Sequence, residues 1–239
     1  MSAARSSDDK TYSSVNGGLL NKTGNNYTLN TNSETLSETF IIASGETLTI
    51  GSSQTLTITS TKTLTNNGII VKIGTLTNNG TLTNSGLVLN KSGDAFTIDY
   101  DLGTSQTLNG VFTIDDGEVF IIDLDQTLTI TSDGSLTINA GGELIHSGTL
   151  TNAGTITNNI GGSGNNITSD YGTITNSGTI TNTGGSGGNG IVSQKIFNNS
   201  GTITNSNTGV GFGILLSESS SIFTNSGTID NTSPVTTAM

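Results

Sequence analysis

"GTLTNNGTLTNSG", residues Gly74 to Gly86, says one six-residue phrase twice, and close variants return at Gly148, Gly172, Gly201 and Gly227. In each phrase a single aliphatic residue stands between two threonines. In an extended chain, side chains alternate between faces, so Leu76 and Leu82 point one way and Thr75, Thr77, Thr81 and Thr83 the other. β-Branched threonine favours the extended form. Asn-Asn-Gly and Asn-Ser-Gly then bend the chain, because Asn and Gly tolerate positive φ. One hexad is therefore a short strand and a corner.

A second register has eight residues. Phe40, Leu48, Leu56 and Leu64 recur at that spacing, as do Phe112, Phe120, Leu128, Leu136 and Leu144. A parallel row follows two residues later, at Ile42, Ile50 and Ile58 and again at Ile114, Ile122, Ile130 and Ile138. Both rows share one face of their strands, which leaves Thr47, Thr49, Thr55 and Thr57 outside. The two registers are duplicated together: "ETFIIASGETLTIGSSQTLTI", from Glu38 to Ile58, matches "EVFIIDLDQTLTITSDGSLTI", from Glu118 to Ile138, without a gap.

Such periods predict an all-β chain, a single-chain β-solenoid or β-helix of stacked short strands. Three octads or four hexads give about 24 residues per coil, and three hexads give 18 as the alternative. Handedness is left undecided. Roughly eight coils, each about 4.8 Å above the last, would stack Leu on Leu and Asn on Asn, with inward asparagines forming amide ladders. The rival is a meander of hairpins, but hairpins rarely hold one aliphatic in strict phase for so long. Three segments are expected: a polar N-terminal cap or attachment segment, 1–37; a regular solenoid, 38–160; and looser coils with Gly/Ser-rich loops such as "GGSGGNG", 161–239.

Composition excludes several functions. With seven basic residues and a net charge of −11, the chain lacks the basic stripe that nucleic-acid phosphates require. No apolar run approaches a membrane span, and "MSAARSSDDKTYSS" shows no Sec signal peptide. No cysteine is present for disulfides or thiolate metal sites.

The phrases "GTLTNNG" and "GTITNSG" resemble the β-helical repeats of filamentous-haemagglutinin-like adhesins and the Gly/Thr/Asn-rich repeats of phage and large-virus fibre proteins. The resemblance covers roughly residues 38–231. It implies an elongated, non-enzymatic structural or adhesive protein, a virion or cell-surface fibre, spike or filament located on a virion or outside a cell. Its expected partners are copies of itself, as homo-oligomer or filament, and a glycan or surface receptor. The Thr-x-Thr rows also resemble the ice-binding face of β-solenoid antifreeze proteins, which makes an ice-binding protein the alternative. A carbohydrate-active β-helix is the third reading, since acidic residues alone can perform acid/base chemistry.

Catalysis has little material. The single histidine, His146, falls in the second apolar row, eight residues after Ile138, and so is expected in the core or at a corner. The acidic pairs Asp99/Asp101 and Asp123/Asp125 are expected on outward faces, separated by one coil of three octads. If they stack, a Ca²⁺ ion would relieve their repulsion, and a solvated acidic patch is the plainer expectation. The surface threonines Thr47, Thr49, Thr55, Thr57, Thr75, Thr77, Thr81 and Thr83 complete the candidates.

Overall fold

A computed structural model describes residues 13–15, 17–161, 165–184, 187–207 and 211–232. The start of the expected N-terminal segment and parts of the Gly/Ser-rich loops therefore lie outside the described residues. The chain divides into two compact units: Met1–Gly93 with Ile98–Gly110, and Asp94–Thr97 with Val111–Met239. Each is a β-solenoid of short parallel strands, and the described residues make about nine turns of roughly 23 residues. Among the described residues the helical content is one 3₁₀ turn, Tyr100–Leu102.

Coil length follows from the mixture of octads and hexads. In the second unit Val119 pairs with Glu143, so that coil is three octads long. Each hexad that replaces an octad shortens the coil by two. Thr127 accordingly pairs with Thr149 and Ser135 with Thr155. The first unit carries the same series further, from Thr47 with Ile69 and Thr55 with Thr75 down to Ile69 with Leu87, the coil of three hexads. Both anticipated coil lengths thus occur, as the two ends of one series.

Two corner chemistries account for the difference. In the octads a Gln or Glu closes a four-residue turn upon itself. The Gln54 N–H donates to the Gly51 carbonyl at 3.0 Å, and the Gly51 N–H donates back to Gln54 Oε1 at 2.8 Å. Glu46, Glu118 and Gln126 accept in the same way from Ala43, Asp115 and Asp123. In the hexads an asparagine takes the place of the second core isoleucine: Ile130 is followed in register by Asn152, and Ile138 by Asn158. These asparagines point inward and are fully buried. The corner glycine then lies flat on the preceding coil, and a Cβ on Gly154 would stand 2.1 Å from the Thr131 carbonyl oxygen.

Stacking the hexads builds two amide ladders in the second unit. Asn152 donates to Asn176, Asn176 to Asn199 and Asn199 to Asn225, each from Nδ2 to Oδ1 at 2.7 Å. The other runs from Asn158 through Asn182 and Asn205 to Asn231. Asn66 donating to Asn84 is a single rung of the same kind in the first unit. Between the corners the interior is the expected apolar column, with Leu128, Leu136, Leu144, Leu150, Ile156, Ile174 and Ile180 all fully buried.

The first unit opens with Ser13–Val15, Leu20–Thr23 and Asn26–Leu29 paired antiparallel in that order. Asn26–Leu29 already stacks in parallel on Thr47–Ile50, and Ser33–Thr35 on Thr55–Ile58, so the coils begin ahead of residue 38. Within this cap Lys22 Nζ and the Tyr27 hydroxyl both donate to Glu46 Oε1, at 3.1 and 2.9 Å. Lys22, Tyr27 and Glu46 are all nearly inaccessible to solvent.

Candidate functional site

The outward threonines form columns, because equal side-chain phase in stacked strands brings like residues together. In the first unit the eight candidates fall on three different sheets. Thr47 and Thr49 adjoin Asn26 and Thr28 on one side and Ile69 and Val71 on the other, so that row stops after one coil. Thr55 and Thr57 adjoin Thr75 and Thr77, while Thr81 and Thr83 adjoin Thr63 and Thr65. Thr75, Thr81 and Thr83 are exposed; the other candidates are half-buried.

Longer ranks lie in the second unit. On one sheet Thr149 and Thr151 stack on Thr173 and Thr175. On another, Thr155 and Thr157 are followed by Thr179 and Thr181 and then by Thr202 and Thr204, with Thr228 and Asp230 last. The result is a lattice of hydroxyl and methyl groups spaced about 4.8 Å between coils and about 6.6 Å along a strand. Reading the sequence phrase by phrase points to the first-unit threonines and misses these. The signal is present nonetheless: the Gly-Thr-Ile-Thr-Asn phrase at Gly154 recurs at Gly178 and Gly201, one coil apart.

The acidic candidates are placed differently from one another. Asp99 was expected on the outward face, and it is buried instead. The chain leaves its strand at Ile98 and enters the 3₁₀ turn, where Asp99 is the N-cap and its carboxylate accepts from the Asp101 N–H at 3.1 Å. Its other oxygen is ion-paired with Lys72 Nζ. The Asp99 carboxylate is thereby engaged by a lysine and a backbone N–H rather than free for a ligand. Asp101 is exposed, as are Asp123 and Asp125 at their corner. Among the described residues no three His, Asp or Glu side chains gather into a group that could hold a metal ion.

His146 lies where its phase put it, between Ile122 and Ser169 in the inner row and fully buried. Burial holds its pKa down at about 4, although a contact of Nδ1 with the Gly148 carbonyl opposes the shift. The ring stands against Gly172, where a Cβ would come within 2.3 Å of Nδ1. A histidine so enclosed has no route to a substrate.

The last described coil of the second unit has a different character. Asn205, Phe212, Ile214, Leu216, Phe223, Ile229 and Asn231 line an open groove there. The strands Ile214–Leu216, Ile222–Asn225 and Thr228–Asn231 each end their sheet, so their outer backbone groups have no partner strand among the described residues. Asn225 and Asn231, at the ends of the ladders, are exposed.

Comparison of the chain with protein-family models, with curated proteins and with solved structures finds no match in any of the three. No helix among the described residues is long and apolar enough to cross a membrane.

Proposed function

We propose that the chain is a non-enzymatic structural or adhesive solenoid, a fibre, spike or filament element of a virion or cell surface that associates with copies of itself. One observation carries this reading. The chemistry that holds one coil on the next, two amide ladders around an apolar column, runs on to the last described coil, where no further described strand covers Asn225, Asn231 or the Phe223/Ile229 groove. Open strand edges of this kind are templates for pairing with another chain. The asparagines of two interior corners are engaged in ladders, and the one histidine is enclosed, which supports a role without catalysis. Glycans or a surface receptor would meet the threonine faces.

Electron microscopy and light scattering of the purified protein test it. Oligomers or filaments whose population falls when Phe223 and Ile229 are changed to aspartate agree with the reading. Dispersed monomers at high concentration sink it.

The threonine lattice of the second unit favours a second reading, an ice-binding surface. Three consecutive coils present Thr-x-Thr in register, at Thr155/Thr157, Thr179/Thr181 and Thr202/Thr204. Thermal hysteresis that is abolished by Thr181→Lys would support it, and an absence of hysteresis and of crystal shaping removes it.

A further inference from the structure

The second unit has three corners per coil, and only two carry an amide ladder. Ile122, Ile130 and Ile138 are equivalent positions of one octad coil, and the next residues in register are His146, Asn152 and Asn158. Two corners continue with asparagine. The third continues from His146 to Ser169 and Ser193 and closes at Leu216. All three polar residues of this column are fully buried.

Serine is too short to replace the ladder. Its hydroxyl oxygen occupies the place of the asparagine Cγ, so the side chain ends where the amide oxygen and nitrogen would begin. Adjacent coils are about 4.8 Å apart, well beyond the roughly 2.8 Å of a hydroxyl hydrogen bond, so stacked serines in one rotamer do not reach each other. The remaining contacts do not make up the deficit. The Ser169 hydroxyl donates to the Gly172 carbonyl at 3.3 Å, and His146 uses Nδ1 on the Gly148 carbonyl. His146 Nε2 and Ser193 Oγ are left with no protein partner. Buried polar atoms are ordinarily satisfied, and when protein does not do it, internal water does.

We infer that this third corner is a hydration site, a short file of internal water molecules standing between His146, Ser169 and Ser193 where the other corners hold asparagine amides. A water midway between two coils reaches a side chain on each with ordinary hydrogen bonds. Between Ser169 and Ser193 it accepts from the Ser193 hydroxyl and donates to Ser169 Oγ. Between His146 and Ser169 it donates to Nε2, which is an acceptor when Nδ1 carries the proton. Ile122 precedes the column and Leu216 follows it in register; the full burial of His146, Ser169 and Ser193 confines the water to these coils.

Ser193→Ala on the full chain is the test, because a hydrated and a dry corner respond in opposite directions. If the hydroxyl anchors water, its loss lowers Tm by about 2–4 °C. If it is buried dry, its removal relieves an unsatisfied group, and Tm is unchanged or rises, which overturns the inference. A crystal structure that resolves ordered solvent gives the second readout. Water within about 3.2 Å of both Ser169 Oγ and Ser193 Oγ, lost in S193A, supports the site. A Ser193 hydroxyl bonded only to protein overturns it.

Discussion

Asn152 and Asn176, fully buried and stacked one coil apart, share a hydrogen bond of 2.7 Å from Nδ2 to Oδ1. Asn176 repeats the bond toward Asn199, so its amide both accepts and donates along the stack. Asn176→Ala should therefore orphan a donor above and an acceptor below. The expected cost is about 2–4 kcal/mol, because an unmade buried hydrogen bond costs more than a made one contributes. Asn225→Ala, at the exposed end of the same ladder, should cost under about 1 kcal/mol. Chemical denaturation of both variants checks the contrast, and equal losses would mean that the ladder is not what stabilises the corner.

Gly154 separates close packing from backbone freedom. A Cβ there would meet two backbone oxygens, those of Thr131 at 2.1 Å and Gly134 at 2.2 Å. Neither can move without lifting one coil off the next, so Gly154→Ala should cost well over about 3 kcal/mol or prevent folding of the second unit. Gly93 has φ +57° and no atom within 4 Å of where a methyl group would stand. Gly93→Ala should lose only about 1–2 kcal/mol, the strain of a left-handed residue. Similar thermal midpoints for the two variants would contradict this assignment.

The architecture was legible because period and phase suffice for a solenoid. Leu128 and Ile130 on one face, with Thr127 and Thr129 on the other, need no tertiary information. The inward asparagines were legible for the same reason. What phase does not report is where a strand stops. Asp99 continues the alternation of Thr97 on paper, yet the chain turns after Ile98 and buries it against Lys72. The second-unit threonine ranks were missed for a different reason. Their register depends on coil lengths that vary along the chain, from the short coil that pairs Ser135 with Thr155 to the long one that pairs Thr202 with Thr228, and single phrases do not reveal which coils align.

The N-terminal cap should lose stability when its ion pair is halved. Burial opposes the charge of Glu46, but the Ala43 N–H, Lys22 and Tyr27 outweigh it and hold its pKa below the usual carboxylate value. Burial likewise opposes the charge on Lys22, and its bonds to Tyr27 and Glu46 raise its pKa nonetheless. Glu46→Gln strands the lysine and should cost about 3 kcal/mol, whereas replacing both by Met and Leu should be close to neutral. The contribution of Glu46 is present above the unfolded carboxylate pKa of about 4.3 and fades as pH falls through the folded value. A double-mutant cycle by urea unfolding reads the coupling, and a coupling near zero would remove the pair from the account of the cap.

His146 should make the second unit sensitive to mild acid. Its pKa falls from 6.5 to about 4 on folding, so the unfolded chain takes up the proton first. Stability from the neutral ring is complete above pH 6.5 and declines as pH drops toward 4, by about 3 kcal/mol over the window. His146→Asn puts a group that does not titrate at the same corner. Its thermal midpoint should change little between pH 6.5 and 4.5, while that of the natural sequence falls. Because the two proteins share every other titrating group, the difference between the two curves isolates the histidine. Parallel curves would show that burial beside Gly148 and Gly172 does not lower the affinity of the ring for its proton.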